Sequence, residues 1–375
     1  MSRMNRVAAF VAGAVSIVAV HCSAVAQTQS SVTPNDMARF IAGLPPSEGS
    51  PLTPLTRNPN WQRYAQSFNS NWDELEKRQL SKVRAWSEQN LKNRTDPLYY
   101  MFSGPDFLYA NGFFPQASTY LMSGLEMVGP IPKVTERTIA SLPRILSAIG
   151  TSIKLSFFIT SHMSSQLQGG DLAGTLPIIL VYAVRSGKTI EDIQLISVDK
   201  DGNVQQPPTN EKGATSGVKI TVKAGDGPSQ TIYYFRTDVA NAGVKASGFL
   251  AFADKLGKGH ALHKSASYLM HGGNFTTVRE FVLAHAQSVV QDDSGIPLSA
   301  FKADLWDFYP FGVYRGPIGL FPGTNQPKLA ELFRKLNAPK MDFRIGYGQG
   351  SSIMLAVRKD MVKSSLLVEP PAKAE

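Results

Sequence analysis

The sequence predicts an α/β protein whose mixed sheet starts as a parallel βαβ unit, gains an antiparallel portion and carries helices on both faces. Three observations predict it. Leu98–Phe102, the turn Ser103-Gly104-Pro105-Asp106, Phe107–Phe114 and Thr119–Met122 read as strand, turn, helix and strand. Two strands joined that way run parallel through a right-handed crossover. After Asp192 the apolar period changes to two over three short runs, the pattern of an antiparallel meander. Helical patterns stand both before and after these strands.

The chain opens with Arg3 and Arg6, an uncharged run from Val7 to Val20, and Ala24-Val25-Ala26. This order of charge, apolar run and small-residue exit predicts a signal peptide cleaved after Ala26, and a periplasmic or secreted protein. The run of 14 residues is shorter than the ~20 that a membrane-spanning helix needs. Cys22, the only cysteine, leaves with the signal. His21 stands before it, where a lipid-attachment motif wants a small residue. The mature chain therefore has no thiol nucleophile, thiolate zinc site or iron–sulfur cluster. Its core must hold without disulfides, which its length permits. Net charge is +9, and losing Arg3 and Arg6 lowers it to +7. The basic residues are dispersed, with no block of five, so a solvated surface is expected and no nucleic-acid partner.

Residues 27–60 are rich in Pro, Ser, Thr and Asn, and Pro45, Pro46, Pro51, Pro54 and Pro59 predict an extended arm. Residues 61–368 read as one large domain, with a sub-boundary allowed near 190, and 369–375 as a disordered tail. Trp61, Tyr64, Phe68, Trp72, Leu75 and Leu80 recur at helical spacing, giving an amphipathic helix or helix pair with an aromatic buried face. Thr135–Val184 is apolar and cut by Pro143, Gly150, Gly169-Gly170 and Pro177 into buried helices, none of spanning length. Ile193–Val198, Val218–Val222 and Thr231–Phe235 are the meander strands, with a polar linker at Pro207–Gly217. Leu262–His271 and Phe275–His285 read as helices, Ser288–Gln291 as a strand, and Trp306–Tyr314 as another. Lys328–Leu336 reads as a helix and Ser352–Arg358 as a closing strand.

Four groups of residues could carry chemistry. Gly104 lets backbone approach a ligand, and Asp106 either caps the following helix or acts as a functional acid. Glu126 lies 22 residues after Gly104, near the place where a nucleotide-binding unit keeps its ribose-binding acid. The full G-x-G-x-x-G fingerprint is missing, and Asp106 would repel a phosphate. Asp292-Asp293 offers two carboxylates at a strand end, for a divalent cation or for acid–base work. Adjacent residues on extended chain point opposite ways, so one should face a site and the other solvent or a turn. His260, His263 and His271 are interleaved with Lys255, Lys258 and Lys264. The lysines disfavour a metal, and the segment reads as an anion-binding loop or a helix start with solvated charges.

With Ser103–Tyr109, Gly124-Leu125-Glu126, Lys264–His271 and Gln291–Pro297, the chain resembles a family of exported bacterial proteins that has no assigned activity. The similarity covers roughly Trp61–Arg358. It implies that these segments share one fold and transfers no catalytic residue. The expectation is that Asp106, Glu126, His271 and Asp292 or Asp293 meet in one cleft at strand ends. Small-molecule binding there is the leading function. A carboxylate- and histidine-dependent hydrolase or transferase is the alternative, as is an envelope-interaction protein docking through residues 27–60. No cofactor is indicated.

Overall fold

Leu98, Tyr99 and Tyr100 are buried on both sides, as a strand at the centre of a parallel sheet must be. They form β1 (Leu98–Tyr100) of a computed structural model that describes residues 31–91, 94–155, 169–347 and 351–362. The other strands are β2 (Thr119–Gly124), β3 (Lys188–Val198), β4 (Val204–Gln205), β5 (Thr215–Ala224), β6 (Ser229–Arg236), β7 (Gly259–His263), β8 (Ala286–Gln291), β9 (Trp306–Gly312) and β10 (Ser352–Arg358). All ten join one open sheet in the order β4-β3-β5-β6-β2-β1-β7-β8-β10-β9. The run β6-β2-β1-β7-β8 is parallel throughout. The β3–β6 meander and the β10–β9 pair are antiparallel. The sheet is thus α/β and mixed, it begins with the parallel β1–β2 pair, and it runs unbroken past residue 190.

Side-chain alternation divides the apolar residues between two layers. Leu98 and Tyr100 of β1, Tyr120 and Met122 of β2 and Leu262 of β7 enter one core; Tyr99, Leu121 and Ala261 enter the other. The first core is covered by α1 (Pro34–Ile41), α2 (Pro59–Leu75), α3 (Ser81–Asn90), α4 (Phe107–Phe113), α5 (Leu142–Leu155) and α6 (Leu176–Arg185). The second is covered by α7 (Asn241–Ala246), α8 (Phe249–Lys255), α9 (Thr276–His285) and α10 (Pro327–Lys335). The aromatic stripe of α2 is core, with Trp72 against Tyr182 of α6 at 6.4 Å between ring centres.

Two readings need correction. Residues 27–60 are not an extended arm throughout. Thr33 caps α1 by accepting the Asp36 N–H at 3.0 Å, and Pro34 occupies the first turn, where its missing N–H costs nothing. Phe40 and Ile41 are fully buried, Trp61 Nε1 donates to the Phe40 carbonyl, and Arg185 donates to the Ala42 carbonyl. The prolines delimit this helix rather than abolish it. Second, Leu262–His271 is not a helix. Gly259–His263 is β7, buried at every position, and such a run has no alternation to separate it from a buried helix. Beyond His263 the chain is irregular, with Ser265, Ser267 and Tyr268 at positive φ and a short 3₁₀ turn at Leu269–His271. β5 also begins at Thr215, inside the expected linker. The signal peptide, the C-terminal tail and part of the Thr135–Val184 helical stretch lie outside the described residues.

Candidate ligand-binding site

Counted in chain order, the five parallel strands stand 3-2-1-4-5 across the sheet. The chain moves one way from β1 through β2 to β6, then crosses back to place β7 on the far side of β1. Loops diverge at such a reversal and leave a crevice beyond the carboxyl ends of the strands. A cavity of about 940 Å³ lies there. Its walls come from Tyr100–Asp106 after β1, Ser123–Glu126 after β2, Thr237–Val239 after β6 and Lys264–Ser267 after β7. Ile318–Phe321 and Tyr347 close the remaining side.

Asp106 lies on the cavity floor and is 1 % exposed. Its Oδ1 accepts the Tyr109 N–H at 3.2 Å, which makes it the cap of α4. Its Oδ2 accepts the Tyr100 hydroxyl and the Lys264 ammonium, both at 2.9 Å. Lys264 is 3 % exposed, and its Nζ also stands 4.3 Å from the centre of the Tyr109 ring. The cap and the site acid are therefore one residue. Burial raises the Asp106 pKa, against the pull of Lys264 and the two other donors, and burial with the neighbouring carboxylate raises Tyr100. Lys264 is thus not one of a set of solvated charges, because β7 delivers it beside β1 at the carboxylate it neutralises.

Glu126 stands at the rim, two residues past β2. The Tyr234 hydroxyl contacts its Oε2 at 3.4 Å and donates to its backbone carbonyl at 3.0 Å. A Cβ on Gly124 would fall 2.5 Å from that Oε2 and 3.1 Å from Gly104 Cα. Gly104 itself has φ +52. The two turns pass so closely that only glycine fits between them.

The Asp292-Asp293 pair divides. Asp292 is buried behind the cavity wall, where Oδ2 accepts the Ser265 N–H and Oδ1 the Ser294 N–H, each at 2.9 Å. It braces the loop after β7. Asp293 turns the other way and accepts the Tyr268 hydroxyl at 2.6 Å. Burial, then the charge of Asp292, pushes Asp293 up to about 7. Burial likewise raises Asp292 and lowers His271. His271 lines a second cavity of about 660 Å³, which shares Ser267, Leu269, Phe275 and Phe321 with the first. Asp106, Glu126 and Gly104 therefore share one cavity, Asp292 supports its wall, and His271 belongs to the adjoining one with Asp293 behind Tyr268. His260 and His263 are strand residues; His260 Nδ1 meets Ser288 Oγ at 2.9 Å, and burial holds both rings down to about 3.

Sequence reasoning missed Ser265, Ser267 and Tyr347 as site residues, and nothing in their local context marks them. Among the described residues no group of three His, Cys, Asp or Glu side chains could hold a metal ion, and no helix is long and apolar enough to cross a membrane. No protein-family model, curated protein or solved structure matches the chain.

Proposed function

We propose that this protein is exported and binds a small organic molecule in the cavity at the reversal of strand order. The observation that carries the reading is the convergence of four parallel-strand ends on one cavity, with a buried Asp106–Lys264 pair in its floor. A cavity of that size suits a drug-sized ligand, and apolar walls with a few fixed polar groups are the usual composition of such sites. Phe102, Val239, Leu269 and Phe275 supply the apolar surface; Glu126, Tyr347 and the floor pair supply the polar groups. The envelope-docking alternative loses much of its proposed element, because α1 is already consumed in the core. Turnover has one specific support, the Asp293 carboxyl near neutrality beside the cavity that His271 lines.

Mass spectrometry of the purified protein, native against denatured, is the test. A discrete excess mass is expected. Gly319 lines the cavity, and a Cβ added there meets nothing within 4 Å. Gly319→Trp should therefore fill the space and abolish the excess while leaving the fold intact by circular dichroism. An excess that survives Gly319→Trp places the ligand elsewhere and defeats the reading.

A further inference from the structure

Resting on that reading of the cavity, we infer that its ligand is a nucleoside without a 5′-phosphate, held by a hydrogen bond from its ribose diol to Glu126. Three features point to this class.

The first is position. In sheets ordered 3-2-1-4-5, the crevice between strands 1 and 4 takes a nucleotide, and an acid after strand 2 accepts the ribose hydroxyls. Here the crevice lies between β1 and β7, and Glu126 follows β2 on its wall.

The second is the state of the carboxylate. The Tyr234 hydroxyl contacts Oε2 and steadies the side chain, while Oε1 has no hydrogen-bond partner among the described residues. A cis-diol presents two adjacent donors, which a carboxylate can accept together. Gly104 beside it carries no side chain, and a Cβ there would meet only Glu126 Oε2, at 3.9 Å, so a sugar can approach that backbone closely.

The third is what the β1 turn lacks. A phosphate-binding turn presents unpaired N–H groups at the start of a helix. Here the Tyr109 N–H is already taken by Asp106, and that carboxylate occupies the place a phosphate would need. Lys264 does not invert the sign of the site, since its ammonium is held by Asp106 at 2.9 Å. The 5′ side should therefore carry a hydroxyl or a neutral or zwitterionic substituent, as in adenosine or an adenosyl thioether.

Isothermal titration of the purified protein with adenosine, 2′-deoxyadenosine, 5′-AMP and S-adenosylhomocysteine tests this. Adenosine or S-adenosylhomocysteine should bind, with 2′-deoxyadenosine and 5′-AMP each at least tenfold weaker than adenosine. Glu126→Gln should weaken adenosine at least tenfold and erase the difference from its 2′-deoxy form. The deoxy comparison on the unaltered protein keeps the test valid even if Glu126→Gln folds poorly. Equal affinity for adenosine and 2′-deoxyadenosine overturns the diol contact, and preference for 5′-AMP overturns the exclusion of phosphate. If no nucleoside binds but a different ligand is found by mass and lost in Gly319→Trp, the nucleoside assignment fails and the cavity reading stands. If neither a nucleoside nor any excess mass is found, both fail.

Discussion

The two ends of the parallel sheet both bury charge, and they treat it differently. At the amino end, Lys188 donates to the Pro115 carbonyl and Gln230 Oε1, Gln230 Nε2 donates to the Ala117 carbonyl at 2.7 Å, and His260 meets Ser288. Lys188 there has neutral acceptors, and burial lowers it to about 8. None of these residues lines the 940 Å³ cavity. At the carboxyl end Lys264 meets a full carboxylate, Asp106, and the pair lies in the cavity floor. Buried charge alone therefore does not mark a site in this protein. What marks it is buried charge beside empty space, where strand order reverses and the loops part.

The largest expected effect separates these ends directly. Asp106→Ala leaves the Lys264 ammonium buried without its carboxylate and removes the cap of α4. Stripping one partner from a buried pair typically costs about 3–5 kcal/mol. Lys188→Met keeps the apolar stem and removes a charge paired only with neutral acceptors; leaving Gln230 Oε1 without that donor should cost about 1–2 kcal/mol, less than the loss of a full buried carboxylate. Urea denaturation of the two variants measures both. If Asp106→Ala costs no more than Lys188→Met, the contrast between the ends collapses.

A second expectation concerns pH and Asp293, whose carboxyl is buried beside that of Asp292. Asp293 titrates near 7 in the fold, above its ordinary carboxylate value of 3.8. Between those values the folded protein holds a proton that the unfolded chain has lost, so this group's contribution to stability falls as pH rises through that window. It is fully favourable below about 4 and lost above about 7. Asn keeps an acceptor for the Tyr268 hydroxyl without the charge. Asp293→Asn should therefore be more stable than the unaltered protein at pH 8 by about 1–2 kcal/mol, and near parity at pH 4. A pH-independent difference would show that Asp293 does not carry the shift.

How much of this was legible depends on how local each feature is. The βαβ unit is written in twenty-odd consecutive residues, and the structure has its strands parallel as that spacing requires. The capping role of Asp106 is equally local, since Ser-Gly-Pro-Asp before an apolar run is a helix start. The divergence of Asp292 and Asp293 was expected from alternation on extended chain, and the structure reaches it just past β8, where Asp293 enters a turn. Lys264 was not separable from Lys255 and Lys258, because its burial depends on β7 returning beside β1, about 160 residues after that strand. β7 was misread for a related reason: a strand covered on both faces shows no period. The helix α1 was hidden by its prolines, which read as breakers until Pro34 is seen to sit in its first turn.

The smallest effect on stability should be the most telling for function. Ser265 directly follows Lys264 and has φ 54, a left-handed conformation that a serine holds only where its surroundings require it. Its N–H is fixed by Asp292 and its carbonyl accepts the Tyr347 hydroxyl, each at 2.9 Å. Its Oγ, by contrast, is buried with no hydrogen-bond partner among the described residues. An unpaired buried hydroxyl contributes nothing to the fold and carries a desolvation cost. Alanine tolerates the same backbone about as well, so Ser265→Ala should leave the unfolding free energy within about 0.5 kcal/mol, or raise it. If the loop is held in this shape to present that hydroxyl to a ligand, the same change should weaken binding several-fold, read by titration beside the urea curve. A loss of stability with unchanged affinity would instead make Ser265 a structural residue. The loop after β7 would then owe its conformation to Asp292 and Tyr347 alone, as the amino end owes its order to Gln230.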